Sequence, residues 1–493
     1  MRNLNFLRVM LASIAGLCLL VLAGWAEAHT AAAELRLPKA LGSGMVLQRD
    51  LPSRVWGWAG AQALVSVEFA GKTYDTKAGA DGAWQVMLLP MPANSRGQQL
   101  SIRSGGATVA LDDVLVGDVW FCSGQSNMEY PMRRPERYRG PVAPSSDPAA
   151  EALAAGRHDG LRLFKVQKVL STEDVTTTGW TVAEGEDLAK FSALAFFFAK
   201  EIHSKTGVPQ GLIDCSWGGS RIEVWTPEDA YERFGQPADV PTTRPLFVDG
   251  ARVARHYDRM VKPLVPFVVR GFLWYQGESN CMLGETGRYT QKQKALIASW
   301  RDLWQRPDAP FYMVQLAPYA YSARKQEVPL PRDLLPRFWE AQADVLSVAN
   351  TEMVVTTDLT DNIGDIHPFN KWEIGRRLAL IALGRDYGLT DVVYKHPVFE
   401  SMEVRNGEIL VRFTDVGGGL KTKDGATVSH FEVCGSDGRY IPAKAEIVSA
   451  SEVRLTAAGV TQPTDVRFAW DERAQPNFVG GTGLPVRPFR MRR

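Results

Sequence analysis

Cysteine is scarce in this chain: five in 493 residues, one of which, Cys18, lies in an apolar segment at the N-terminus. No pair is spaced C-x-x-C and no H-E-x-x-H occurs, so the usual signatures of a zinc site are missing and no metal or other cofactor is expected. The elbow G-x-S-x-G is also missing, which argues against serine chemistry on an α/β-hydrolase scaffold. Charge of one sign is missing too. Lysine and arginine number 56 against 55 aspartates and glutamates, and no basic block stands out. A nearly neutral chain of this kind is not expected to bind nucleic acid or an anionic membrane surface. It suits a small-molecule or glycan partner.

The one long apolar run lies in "MRNLNFLRVMLASIAGLCLLVLAGWAEA". Arg2 and Arg8 precede it and Ala26-Glu27-Ala28 follows, the pattern of a signal peptide spanning residues 1–28. The expectation is an exported protein, periplasmic or extracellular, whose mature form has no membrane anchor. Export permits disulfides. Cys122, Cys215, Cys281 and Cys434 would remain, either as buried thiols or with a Cys215–Cys281 bridge.

The rest of the chain divides by texture. Residues 34–110 alternate apolar and polar in short runs such as "SRVWGWAG" and "GAWQVMLLP", punctuated by Gly, Pro, Asn and Asp; they read as an N-terminal β domain. Residues 111–392 alternate strand candidates ("VLVGDVWF", "LRLFKV", "GLIDCS", "FVVRGFLWY", "FYMVQLA", "EMVVTTD") with amphipathic runs such as "RYTQKQKALIASWRDLWQR" and "KWEIGRRLALIALGRDYG". That order implies an α/β domain with a parallel sheet covered on both faces. Residues 393–493 return to short alternating strands, a C-terminal β domain.

In a parallel sheet ligands bind beyond the carboxyl ends of the strands. At those predicted ends stand Ser126 in "CSGQSN", Gly218 and Gly219 in "SWGGSRIEVW", and Gln276, Glu278 and Asn280 in "WYQGESN". Asp358, Asp361, Asp365 and His367 stand in "DLTDNIGDIHP". Each alone has an ordinary structural explanation. Together they make up an acyl-transfer site: a hydroxyl nucleophile, an imidazole base to take its proton, a carboxylate to orient the imidazole, and donors for a developing oxyanion. The N–H of Ser126, a glycine N–H at 218 or 219 and the amide of Gln276 are the candidate donors.

The blocks "GQSNM", "WGGSRIEVW", "WYQGESN" and "DIHPFNKWEIGRRLA" resemble those of sialate O-acetylesterases and related carbohydrate esterases of the SGNH-hydrolase superfamily. The likeness extends to the flanking β segments. It implies a flavodoxin-like core and removal of O-acetyl groups from a sugar, with Ser126 as nucleophile, His367 as base and Asp365 as orienting acid. That superfamily more often spaces the acid three residues before the histidine, where this chain has Gly364. Glu278 is therefore a second candidate acid and Asp361 a third. Gly218 or Gly219 and Gln276 would form the oxyanion hole, ahead of Asn280. The implied substrate is an acetylated sugar, 9-O-acetyl sialic acid first and acetylated xylan or pectin second. The competing class is a carbohydrate-binding protein with an inactive core. Trp217, Trp225, Trp274 and Tyr275 could offer a sugar platform, although at least half of them are expected in the core. Arg133, Arg134, Arg137 and Arg139 could meet a sugar carboxylate, with a solvated face as the ordinary alternative.

Overall fold

The computed structural model describes residues 35–134, 147–405, 408–460 and 462–491. The expected signal segment, Arg137 and Arg139 lie outside them. The architecture follows from one long strand, β1 (Ala107–Gly124). Its first half alternates in exposure and pairs antiparallel with Asn94–Ser104 of the N-terminal β unit. Its second half, Val114–Gly124, is buried at every residue, as a strand covered on both faces must be. The boundary expected near residue 110 therefore falls inside a continuous strand, and the N-terminal unit and the α/β core share one hydrophobic core.

Six parallel strands build the core sheet: β1, β2 (His158–Lys165), β4 (Gln210–Ser216), β5 (Gly271–Tyr275), β6 (Phe311–Val314) and β7 (Thr351–Val354). Strand β3 (Trp180–Ala183) adds an antiparallel edge on β2. The spatial order is β7-β6-β5-β1-β4-β2-β3. With the edge pair β2 and β3 set aside, the remaining five parallel strands run 2-1-3-4-5. That order places a topological switch point at β1, where crossovers leave in opposite directions.

Both faces are covered. Successive residues of a strand point to opposite sides. Trp120 packs edge-on against Phe198 of helix α2 (Ala193–Thr206), and Phe121 against Trp300 of α3 (Gly287–Leu303). Helix α4 (Leu334–Ala343) lies beside α3, and α5 (Lys371–Arg385) beside α2. Gly375 allows that second approach, because a Cβ there would stand 2.6 Å from the Leu194 carbonyl oxygen. The apolar-rich run 188–207 is not one helix: it is broken at Phe191-Ser192, where Ser192 accepts the Ala195 N–H and caps α2. The C-terminal strands, from Val398–Arg405 to Phe489–Arg490, are antiparallel around a separate aromatic core of Phe413, Phe431, Phe468, Phe478 and Phe489. They dock on the α/β core through Arg490–Glu340 and through Glu472, which accepts from Ser322 N at 2.9 Å.

Cys122, Cys215, Cys281 and Cys434 are free and buried. The Cys215–Cys281 bridge is not formed, and burial pushes the Cys122, Cys215 and Cys281 thiols well up. No helix among the described residues is long and apolar enough to cross a membrane.

At the bottom of β1, Asp118 is fully buried and ties four segments together. It accepts from Gln48 at 2.9 Å, from Arg49 at 3.0 and 3.1 Å, from Arg270 at 3.0 Å and from the Tyr387 hydroxyl at 2.6 Å. Asp118→Ala would strand two largely buried guanidinium groups, and breaking such a network typically costs about 3–5 kcal/mol. Chemical denaturation should report a loss of that size with little change in m-value.

Candidate active site

Three neighbouring strands stop in register: Gly124 of β1 pairs with Ser216 of β4 and with Tyr275 of β5. The chain leaving β1 cannot continue the sheet. Gly124 has φ +139°, and a Cβ there would stand 2.1 Å from the Tyr275 carbonyl oxygen, so glycine is required both by conformation and by space. The adjoining loops are tied across this point. Gln125 N–H donates to Tyr275 O at 3.0 Å and Trp217 N–H to Gly124 O at 3.1 Å. Gln125 Oε1 accepts from Gly277 N and Ser279 N at 3.4 and 3.3 Å. The chain then turns at once into a single helical turn, α1 (Ser126–Glu129), which begins with Ser126.

The Ser126 hydroxyl meets His367 Nε2 at 3.0 Å, and His367 Nδ1 meets Asp365 Oδ1 at 3.1 Å. The same Asp365 oxygen accepts the His367 backbone N–H at 2.9 Å, a two-residue turn that makes the short D-x-H spacing workable. A neutral imidazole carrying its proton on Nδ1 fits both contacts. Partial burial pushes the Asp365 carboxyl up, but the hydrogen bonds from His367 outweigh it and hold the group below the ordinary carboxylate range. Ser126, His367 and Asp365 thus form a hydrogen-bonded chain whose far end is an ionised carboxylate. Asp361 is exposed at the start of the same loop. Asp358 is committed to Arg377 by two bonds of 2.8 and 2.7 Å.

Glu278 takes a different position. It is buried, and its Oε1 accepts the Asn127 amide at 2.5 Å; that amide also donates to Ile366 O at 3.0 Å, tying α1 to the histidine loop. Burial raises the Glu278 carboxyl. Lys371, at the start of α5, is buried beneath the loop, donates to Pro368 O and lies 4.4 Å from the Tyr130 ring. Burial lowers it to about 7 against the opposing charges of Glu278, Asp365 and Asp361.

Among the candidate donors, Gln276 is fully buried and its amide is spent. It donates to Asn280 Oδ1 at 2.7 Å and to Ser220 O and Gln125 Oε1 at 3.2 Å, while Tyr289 donates to its carbonyl at 2.8 Å. Asn280 is likewise enclosed: it accepts from Ile222 N at 3.1 Å and donates to Glu223 and Glu285. The two amides belong to a buried polar network that the sequence did not signal. Its centre is Lys292, whose Nζ lies 2.6 Å from Glu223, 2.6 Å from Asp239 and 2.9 Å from Glu285. These three carboxylates are the one group among the described residues close enough to hold a metal ion, and the lysine ammonium already fills their centre. Gly218 lies against Ser126: a Cβ on it would stand 3.3 Å from Ser126 Cβ. Its N–H donates to Glu129 Oε2 at 2.7 Å. Gly219 follows at φ +76° and is exposed, with open space around it.

Ser126 and Gly218 open on a cavity of about 570 Å³ lined also by Glu129, Arg133, Lys165, Lys168 and Lys190. A second cavity of about 470 Å³ adjoins it across Gly218, with Trp217, Arg252 and Arg255 on its wall. Of the four aromatic residues considered for a sugar platform, Trp225, Trp274 and Tyr275 are core. Trp217 alone is half-buried, stacked on His256 at 4.5 Å. Arg133 is paired with Glu186 at 2.6 Å, and Arg134 lies over the Phe369 ring at 3.9 Å. Glu129, Asn127, Lys168 and Lys371 were not among the residues singled out from the sequence. Asn127 and Lys371 stood inside the blocks "GQSNM" and "DIHPFNKWEIGRRLA", and Glu129 directly follows the first of them.

The profile of a protein family described as "Carbohydrate esterase, sialic acid-specific acetylesterase" matches residues 116–383. Over 94% of its length the chain is 28% identical to the sialate O-acetylesterase of Homo sapiens, of which 94% is covered. It is 28% identical to that of Rattus norvegicus over 91% of the chain and 92% of the relative. Among solved structures, a carbohydrate acetylesterase from Xanthomonas citri superposes with a TM-score of 0.81 at 34% identity, covering 93% of this chain and all of that one.

The raised Glu278 carboxyl has a consequence for stability. The folded state holds that proton more tightly than the unfolded chain does, so its contribution is complete below the unfolded carboxylate range and is lost as pH rises through the raised value. Glu278→Gln keeps an acceptor for Asn127 and removes the cost of charging. The variant should equal the wild type in thermal melting near pH 4 and exceed it at pH 7; a variant less stable at pH 7 would contradict a burial-dominated Glu278.

Proposed function

The chain belongs to the sialic acid-specific acetylesterase family of carbohydrate esterases and is a carboxylic ester hydrolase, and we propose that Ser126, His367 and Asp365 are the triad with which it removes O-acetyl groups from sialic acid. The Ser126–His367–Asp365 hydrogen-bonded chain carries this proposal. We take 111–392 as the catalytic unit on a flavodoxin-like core of the SGNH type, with β units on either side. The 2-1-3-4-5 order of the five strands supports it.

His367 Nε2 takes the Ser126 proton as Oγ attacks the acetyl carbonyl. The imidazolium is stabilised by the ionised Asp365, which also keeps the Nδ1 proton in place. The tetrahedral intermediate needs donors for its oxyanion, and we assign that role to the backbone N–H groups of Ser126 and of the Gly218-Gly219 turn packed against it. Collapse breaks the bond between the acetyl carbon and the sugar oxygen, which takes the proton from His367 and leaves as the hydroxyl, with the acetyl group on Ser126 Oγ. Water, activated by the same histidine, then releases acetate from Ser126. Gln276 is not assigned a role at the oxyanion, since its amide is spent in the buried network. No step calls for a metal or an organic cofactor.

Sialic acid is preferred to a neutral sugar because the relatives bear that name and because the cavity at Ser126 is lined by four cations and one acid in a chain that is nearly neutral. Acetylated pectin or xylan is the second substrate class. The N-terminal signal pattern supports export to the periplasm or beyond.

Acetate release from 9-O-acetyl sialic acid, acetylated xylan and acetylated pectin tests the assignment. Ser126→Ala should abolish release. Asp365→Asn should lower kcat by about 10³–10⁴-fold, as loss of the orienting carboxylate does in serine triads. Glu278→Gln should stay within about tenfold of the wild type. Equal losses in Asp365→Asn and Glu278→Gln would move the acid to Glu278, and release by Ser126→Ala would remove the serine mechanism.

A further inference from the structure

The cavity at Ser126 already contains an anion, and it belongs to the protein. Glu129 ends the helical turn that Ser126 begins, and its carboxylate reaches over the strand ends. Oε2 accepts the Gly218 N–H at 2.7 Å and Oε1 accepts Lys168 Nζ at 2.7 Å. Gly218 is the residue packed against Ser126, and a Cβ on it would stand 3.2 Å from Glu129 Oε2 as well as 3.3 Å from Ser126 Cβ. A carboxylate therefore sits on the backbone donor beside the nucleophile, where the substrate's oxyanion would look for it. The other cations of this cavity are paired elsewhere: Arg133 with Glu186 at 2.6 Å, Lys190 with Glu186 at 3.6 Å, and Lys165 with Asp214 at 3.5 Å. Lys168 is half exposed and faces Glu129.

Two physical consequences follow. An N–H engaged by a full carboxylate cannot also stabilise the oxyanion, and a negative charge at that spot repels the one that forms on attack. Loss of one oxyanion donor typically costs about 10²–10³ in kcat. Glu129 must leave Gly218 for full turnover. Its anchors are one backbone N–H and one ammonium, and the ammonium is open to competition from the cavity. We propose that Glu129 is a substrate-released gate on the Gly218 donor, with Lys168 as its latch, which makes the enzyme selective for acetyl esters of sugars that carry a carboxylate. The gate rests on the serine-esterase assignment and on Gly218 serving the oxyanion. A sugar carboxylate that takes Lys168 removes one anchor and repels the freed Glu129 from the site. A neutral ester does neither and reacts with the donor still blocked.

The test compares 9-O-acetyl-N-acetylneuraminic acid with its C1 methyl ester, which keeps the sugar and the scissile acetyl and loses the charge. Acetate release gives kcat and KM for the wild type, Glu129→Ala, Glu129→Gln, Lys168→Met and Ser126→Ala, with thermal melting to verify folding. The wild type should turn over the acid at least tenfold faster in kcat than the methyl ester. Glu129→Ala should collapse that ratio toward one by raising kcat on the methyl ester, with Glu129→Gln in between. Lys168→Met should raise KM for the acid about tenfold and shrink the kcat ratio. Equal wild-type kcat on the two substrates would overturn the gate, as would a matched fall on both in Glu129→Ala and Glu129→Gln, the mark of a residue that only positions the glycine turn. In either case abolition by Ser126→Ala would leave the serine mechanism standing. Turnover surviving in Ser126→Ala would overturn that mechanism and the gate with it.

Discussion

The contact on which the site depends is the packing of the Gly124 backbone onto the Tyr275 carbonyl. Three parallel strands end at one level because Gly124, Ser216 and Tyr275 are in register, and the chain can leave the middle strand only if residue 124 has no side chain. Everything chemical is measured from that point. Ser126 lies two residues beyond it, Gly218 two residues beyond the neighbouring strand on one side, and Gln276 one residue beyond the neighbour on the other. A strand end is stiff because its backbone is held by ladders on both sides, so a nucleophile placed there keeps its position without help from a long loop.

The histidine loop is held differently. Residues 358–370 contain no strand or helix and are fixed by side chains. Asp358 is clamped by Arg377, the Asn127 amide donates to Ile366 O, and the buried Lys371 ammonium donates to Pro368 O. The Asp365–His367 turn is closed by the His367 backbone N–H donating to the Asp365 carboxylate. These contacts join the loop to α5 and to α1. The Ser126–His367 distance is therefore set by two elements far apart in sequence that share one buried amide, Asn127, and one buried acid, Glu278. Glu278 has a supporting role beneath the site: its buried carboxyl, raised by burial, accepts the Asn127 amide that also holds the histidine loop.

Lys292 shows the same economy on a second scale. Three carboxylates brought this close in a protein interior would repel strongly, and the lysine ammonium at their centre cancels part of that repulsion while Asn280, itself held by Gln276, donates to Glu223 and Glu285. The network supports the "WYQGESN" turn from below. That explains why Gln276 and Asn280, which look like oxyanion donors in a linear reading, face inward: on a turn directly after a fully buried strand, an amide finds buried partners on the inner side first.

Much of this was legible in the sequence. Alternating and continuous apolar runs report which faces a strand buries, so the β-α/β-β organisation, the strand ends and the set Ser126, Asp365, His367, Gly218 and Gly219 could be named from local pattern and resemblance. The D-x-H spacing left the acid open, because spacing along the chain does not say which carboxylate reaches Nδ1. Tertiary structure decided what depends on direction and on partners distant in sequence. It directed Asp365 onto His367 and Glu278 onto Asn127, turned Gln276 and Asn280 into a buried network around Lys292, kept Cys215 and Cys281 apart as free thiols, and put the Glu129 carboxylate on Gly218 with Lys168 behind it. Periodicity encodes which side of an element is buried; it carries no information about which of several equally polar side chains will meet across a gap, since that is fixed only when the strands take their places in the sheet.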